Sequence, residues 1–210
     1  VIFTGSGTES DNLAIYGIAK AHAQHGKHII STPIEHHAVL HPLEDLKKWG
    51  WEVTYVRVNE KGIVNVEDVI KAIRPDTVLI SIMSANNEMG AIQPIAEIGK
   101  ICRAKGVLFH TDAVQSFGKV PIDVNSMNID LLTASSHKMY GPKGAALLFI
   151  REGVKITPLL HGGHHENHPH RHLVGAARDH ERAADERERH GTGGERQEHA
   201  PREVAGATEA

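Results

Sequence analysis

Residues able to bind an anion or to move a proton stand directly before two stretches with helical spacing. The first group is GSGT at 5–8, where glycines allow close approach of a ligand and the free N–H groups of a helix start favour a phosphate. An ordinary strand-to-helix turn would look the same. The second group is EHH at 35–37. A histidine there can stack on an aromatic ring or transfer a proton near neutral pH, although a surface or capping role is commoner.

Two further groups stand after apolar, strand-like runs. Asp112 follows VLFHT, and a half-buried carboxylate needs a cationic partner such as a protonated ring nitrogen, unless it caps a helix. Lys138 follows DLLTASSH, with Ser135 and His137 beside it, and such a lysine can form an imine with a carbonyl compound. Lys143 is the competing lysine, but its Gly-Pro-Lys-Gly setting is typical of a solvent-facing turn.

Alternating strands and helices would position these groups. Helices are predicted at 10–24, 37–49, 66–73 and 94–105, and strands at 1–4, 28–32, 52–58, 77–83, 107–111, 129–134 and 145–150. This order predicts an α/β fold with a largely parallel sheet. Ligands bind beyond the carboxyl ends of the strands in such sheets. We therefore expect the polar residues that follow four of the strands to converge on one site.

The composition narrows the class of protein. With 210 residues, 40% of them hydrophobic, and a formal net charge of −3, the chain is typical of a globular protein of about one large domain. Neither nucleic-acid binding nor a membrane span is indicated, since basic residues are not in excess and no run approaches roughly 20 apolar residues. No signal peptide is evident. The single cysteine, Cys102, excludes an internal disulfide and predicts a cytoplasmic location.

The use of residue types changes abruptly near residue 161. The segment 1–160 holds all 12 lysines, whereas 161–210 holds 7 arginines and no lysine, isoleucine or aromatic residue. Such a segment cannot offset its ordering entropy by burying a core. We expect residues 168–210 to be disordered or weakly helical, and interpret them as translation in a shifted reading frame. A genuine His-rich metal-binding tail is the rival interpretation.

Five segments together resemble the successive motifs of the cysteine desulfurases of the class-V aminotransferase group. They are GSGTESDNLAI, EHHAVLHPLEDL, SANNEMGAIQPI, HTDAVQSFGKVPIDV and SSHKMYGPKGAALLFI. The resemblance runs from residue 1 to about residue 167. It implies pyridoxal 5'-phosphate (PLP) as cofactor and the three-layer large domain of PLP-dependent fold type I enzymes. That domain would occupy 1–167 and be incomplete, with 168–210 as an anomalous tail.

The resemblance implies which residues would hold the cofactor's phosphate and aldehyde. Gly7 and Thr8 would bind the phosphate, with help from Ser135 and His137. Lys138 would form the imine with the cofactor and later shuttle protons.

It also implies which residues would hold the cofactor's ring. His36 would stack on the pyridine ring and act in proton transfer. Asp112 would pair with the pyridinium nitrogen, and Asn87 and Gln115 would contact the cofactor near its ring and phenolic oxygen.

The implied activity is removal of sulfur from L-cysteine, which leaves alanine and a persulfide on a separate cysteine. The implied partners are a second copy of the chain, in a homodimer, and a sulfur acceptor or iron–sulfur scaffold protein. Two alternatives stay open. One is a related PLP-dependent lyase or aminotransferase, for example one acting on selenocysteine. The other is a non-catalytic truncated fragment or a His-rich metal-binding module.

Several parts of the family pattern are not recognisable. They are a segment before Val1, an Arg-rich stretch that reaches a neighbouring subunit's phosphate, and a C-terminal domain with the nucleophilic cysteine and a carboxylate-binding arginine. Cys102 lies within the predicted helix 94–105, where a partly buried structural residue is expected. We therefore expect a chain that is truncated at both ends and unable to turn over cysteine.

Overall fold

The computed structural model of this protein describes residues 1–161. The predictions made for the segment 168–210 lie outside the described residues, as do residues 162–167 of the predicted large domain.

The described residues form seven strands and four longer helices. The helices are α1 (Gly7–His22), α2 (His37–Lys48), α3 (Val66–Ala72) and α4 (Ile95–Lys105). The strands are β1 (Ile2–Thr4), β2 (His28–Ser31), β3 (Glu52–Tyr55), β4 (Thr77–Ser81), β5 (Leu108–Asp112), β6 (Leu131–Ser135) and β7 (Ala146–Ile150). Each predicted element is present. Most of the predicted ends differ from the observed ones by one to three residues. None of the helices described is long and apolar enough to cross a membrane.

All seven strands belong to one sheet, in the order β1-β7-β6-β5-β4-β2-β3. The four pairs from β3 to β6 are parallel, whereas β7 pairs antiparallel with β6 and with β1. The prediction of a largely parallel sheet is confirmed. The carboxyl ends of β2, β4, β5 and β6 consequently lie along the same edge.

Helices cover both faces of the sheet and make a three-layer structure. Because side chains alternate across a strand, Ile29 packs with the apolar faces of α1 and α2, while Ile30 packs with those of α3 and α4. In β6, Leu131 packs on the same face as Ile29, and Leu132 packs on the same face as Ile30. The strand β4 is buried at every position, as expected for a run covered on both faces.

Helix α1 begins three residues earlier than the sequence pattern predicts. Ser6 is its N-cap, and the Ser6 hydroxyl accepts the backbone N–H of Glu9 at 3.1 Å. This cap satisfies a donor that the first turn leaves free, so the chain is helical from Gly7 onward. The second half of the glycine-rich motif, Gly7 and Thr8, therefore lies in the first turn of the helix.

Candidate functional site

A cavity of about 300 Å³ lies where α1 starts, beside residues that follow β2, β4, β5 and β6. Eight of the nine residues predicted to bind a cofactor line it: Gly7, Thr8, His36, Asn87, Asp112, Gln115, His137 and Lys138. The ninth, Ser135, lies directly behind, with its hydroxyl 2.8 Å from Nδ1 of His137. Since ligands of such sheets bind beyond the strand ends, this is the candidate functional site.

The start of α1 lines one side of the cavity. In the first turn of a helix the backbone N–H groups have no partner within the helix, and both Gly7 and Thr8 lie there. A Cβ atom on Gly7 would stand only 2.9 Å from Cγ2 of Val114. The missing side chain thus allows close packing at the place where a phosphate would meet the helix.

Lys138 lies in a short loop that also lines the cavity. It ends a 3₁₀ turn, Ser136–Lys138, that directly follows β6. The Ser136 hydroxyl donates to the carbonyl of Ala145 at 2.7 Å, which ties this turn to the residue before β7. Lys143 lies on the exposed turn between them and is not among the residues that line the cavity. Of these two lysines, the fold brings only Lys138 to the candidate site.

His36 caps a helix and also lies at the cavity, so the capping role does not exclude a place in the candidate site. It is the N-cap of α2, where its Nδ1 accepts the backbone N–H of Ala38 at 3.1 Å, and it also lines the cavity. Because Nδ1 acts as an acceptor, the proton of a neutral ring must be on Nε2. The cap therefore determines both the placement and the tautomer of this imidazole.

Asp112 lies at the carboxyl end of β5 and is buried. Its Oδ1 accepts the backbone N–H of Val114 at 2.9 Å. Burial raises the pKa of the Asp112 carboxyl, and the Val114 N–H and the nearby His36 act in the opposite direction. A carboxylate in this setting favours a cationic partner such as a protonated ring nitrogen.

Sequence reasoning missed Asp11, which lies one turn after Gly7 and also lines the cavity. It is completely buried, and its Oδ1 has no hydrogen-bond partner among the described residues. Burial, followed by the charge of Asp112, raises its pKa well above the usual range. The available signal was its position on the buried face of α1, four and seven residues before Ile15 and Ile18.

Cys102 is completely buried among the apolar residues packed between α4 and the sheet. Burial raises the pKa of its thiol to about 12, so the thiolate is scarce at neutral pH. The prediction of a structural cysteine is confirmed, and its burial is more complete than expected.

The lining residues fit PLP. A helix start with a glycine cradle suits its phosphate, the buried Asp112 suits its ring nitrogen, and the amine of Lys138 suits its aldehyde. A volume of about 300 Å³ lies at the lower end of the range usual for small-molecule sites. Fold and cavity together define an α/β protein with a candidate cofactor site at the strand ends.

The chain belongs to the class-V aminotransferase family, whose model matches residues 1–192. Members of this family depend on PLP.

Two of the curated relatives that match are cysteine desulfurases of the IscS type. The chain is 56% identical over 166 residues to cysteine desulfurase IscS of Clostridium botulinum, covering 79% of this chain and 42% of that protein. It is 58% identical over 166 residues to the IscS of Methanosarcina thermophila, covering 79% and 41%. A solved structure, SspA in complex with cysteine, matches with a TM-score of 0.76 and 44% identity over 79% of this chain and 48% of that one. The chain spans about two fifths of the length of these curated relatives.

Proposed function

We propose that this chain is the cofactor-binding part of a cysteine desulfurase, which removes sulfur from L-cysteine with the help of PLP. The observation that carries the proposal is the convergence of eight predicted residues, from separate segments, on one cavity. Identity above 50% to proteins named cysteine desulfurase supports the choice of substrate. A selenocysteine substrate would need the same cavity and the same cofactor. Binding of PLP is therefore the first property to measure.

The proposed cofactor contacts follow from the cavity walls. The N–H groups of Gly7 and Thr8 would hold the phosphate, and His137, oriented by Ser135, would add a donor. Lys138 would hold the cofactor covalently.

Four other lining residues would hold the ring of the cofactor. His36 would cover one face of the ring and Asp112 would hold the ring nitrogen in its protonated form. Asn87 and Gln115, which also line the cavity, would contact the ring and its phenolic oxygen.

When bound, the protonated ring of PLP withdraws electrons from the substrate's α carbon and labilises the bonds around it. The chain's own residues would then manage protons. Nε2 of His36 can give a proton towards the cavity while Nδ1 still caps α2. Nζ of Lys138, which also lines the cavity, can take and return one.

The sulfur step needs a thiol that Cys102 cannot supply. In the proposed reaction a cysteine thiolate attacks the sulfur of the substrate, the carbon–sulfur bond breaks, and the carbon skeleton keeps the electron pair and takes a proton to become alanine. Cys102 is buried, with a thiol pKa of about 12. We therefore assign this step to a cysteine elsewhere in the whole protein.

The proposed setting is that of the family. We propose a homodimer that passes sulfur to an acceptor or an iron–sulfur scaffold protein, without nucleic acid or membrane. The single cysteine of the sequence supports a reducing compartment such as the cytoplasm.

Binding of PLP to the 210-residue chain tests this proposal. We expect saturable binding with a visible absorption band that is missing in Lys138→Ala. Pyridoxamine 5'-phosphate, which has no aldehyde, should bind wild type and Lys138→Ala to a similar extent. A folded chain that binds neither compound, or an equal band in Lys138→Ala, would contradict the proposed function.

A further inference from the structure

Glu35 links the loop before α2 to the end of β4. Both of its carboxyl oxygens lie 3.0 Å from the backbone N–H of Met83, and the hydroxyl of Thr32 donates to Oε1 at 2.7 Å. The side chain is completely shielded, with only 5% of the residue exposed. A buried carboxyl is tolerated only where hydrogen bonds satisfy it, so this group is placed by specific contacts.

Asn86 makes the reciprocal link from the loop after β4. Its Nδ2 donates to the carbonyl of Ile34 at 2.9 Å. Its Oδ1 accepts the backbone N–H groups of Glu88 and Met89 at 2.9 and 2.8 Å. One side chain thus shapes its own loop and binds the loop that carries Glu35.

Each of these two residues directly precedes a cavity residue in the chain. Glu35 precedes His36 and Asn86 precedes Asn87, and Met83, which Glu35 binds, also lines the cavity. We call Glu35 and Asn86, with their bonds to Met83 and Ile34, the loop clamp. The clamp joins two walls of the cavity that are about fifty residues apart in sequence.

We propose that the loop clamp positions His36 and Asn87 around the cofactor cavity, so that Glu35 and Asn86 are positioning residues of the site. This inference rests on the proposed function. A site whose walls are held before the ligand arrives pays less conformational entropy on binding. Neither clamp residue needs to touch the ligand, and neither is among the residues that line the cavity.

The chemistry of the two side chains allows selective variants. Glu35→Gln keeps an oxygen for the Met83 N–H and a group that can bond to Thr32, whereas Glu35→Ala removes both bonds. Asn86→Asp keeps the acceptor for Glu88 and Met89 but loses the donor to Ile34. Val69→Ala, in α3, shortens a fully buried side chain of the core that does not line the cavity, and it controls for a general loss of stability.

Two measurements on the 210-residue chain test the clamp. One is amide hydrogen exchange of residues 34–38, 83 and 86–90 without cofactor, and the other is the dissociation constant of PLP. In Glu35→Ala and Asn86→Asp we expect exchange at 34–38 to rise about ten-fold or more, as local opening becomes easier. PLP affinity should fall by about ten-fold, or about 1.4 kcal/mol.

The controls separate positioning from stability. Glu35→Gln should stay within about three-fold of wild type in both measurements, since its hydrogen bonds persist. Val69→Ala should lower the free energy of unfolding by about 1–3 kcal/mol and leave PLP affinity unchanged. An affinity that is unchanged in Glu35→Ala and Asn86→Asp, or that falls equally in Val69→Ala, would overturn the inference.

The same experiment distinguishes this inference from the proposed function. If the folded wild-type chain does not bind PLP, both the proposed function and the positioning role are contradicted. Wild-type binding that survives intact in both clamp-breaking variants would remove the positioning role alone.

Discussion

Nε2 of His110 lies 3.5 Å from Oδ1 of Asp11, which lines the cavity, and both side chains are buried. Burial lowers the pKa of His110 to about 3 and raises the pKa of Asp11 well above its usual range. Burial thus shifts both groups towards their uncharged forms, in which a buried pair carries a smaller desolvation cost than an ion pair does.

Replacement of Asp11 by Asn should reduce the loss of unfolding free energy that accompanies a rise in pH. The folded-state pKa of Asp11 lies above its unfolded value of 3.8, so its contribution to stability is fully present below pH 3.8 and is lost as the pH rises through the folded pKa. The side chain of Asp11→Asn cannot ionise, so the free energy of unfolding of this variant should increase relative to that of wild type as the pH rises. Urea unfolding between pH 5 and 9 measures this, with the exposed Asp68→Asn as the control. A stability difference that does not change with pH would show that Asp11 is ionised throughout.

Lys138 should be the lysine that carries the cofactor. The 3₁₀ turn after β6 brings it to the cavity, whereas Lys143 lies in the exposed turn. After loading with PLP and reduction with borohydride, peptide mapping should find the pyridoxyl group on Lys138. Lys143→Ala should label as wild type does. A label that persists on Lys143 when Lys138 is present would refute the assignment.

A side chain at Gly7 should weaken PLP binding through a steric effect that can be reversed. The Cβ of Gly7→Ala would stand 2.9 Å from Cγ2 of Val114, so the helix start must shift and misplace its N–H groups. We expect a loss of affinity of about ten-fold, or about 1.4 kcal/mol. Gly7→Ala combined with Val114→Ala should recover part of it. If the double variant binds more weakly than both single variants, the close approach is not the cause.

Cys102 should be inert in the folded chain. Its thiol is buried and its pKa is raised to about 12, so a thiol reagent should modify it only after unfolding. Cys102→Ser should cost about 1–2 kcal/mol of stability, a usual range for a polar change in a core.

The purified 210-residue chain should form no alanine from cysteine. Turnover that disappears in Cys102→Ser would instead make Cys102 the nucleophile.

The apolar runs and the residues that follow them were sufficient to predict the α/β fold and the region of the site. Parallel strands bring their carboxyl ends to one edge, so residues such as Asp112 and Lys138 could be placed together without knowledge of the strand order. Helix ends were harder. The start of α1 at Gly7 depends on the hydrogen bond of Ser6, and a bond of this kind is not visible in hydrophobic periodicity.

Hydrophobic pattern predicted the class of fold and the burial of Cys102, and the resemblance of five motifs to a known family implied PLP as the cofactor. The sheet order, the burial of Asp11 against His110 and the reciprocal bonds of Glu35 and Asn86 became known from the folded structure. These features depend on which distant segments pack around a polar side chain, and a local pattern carries no information about that. Glu35 and Met83 are 48 residues apart, and only the packing of β2 beside β4 makes them neighbours.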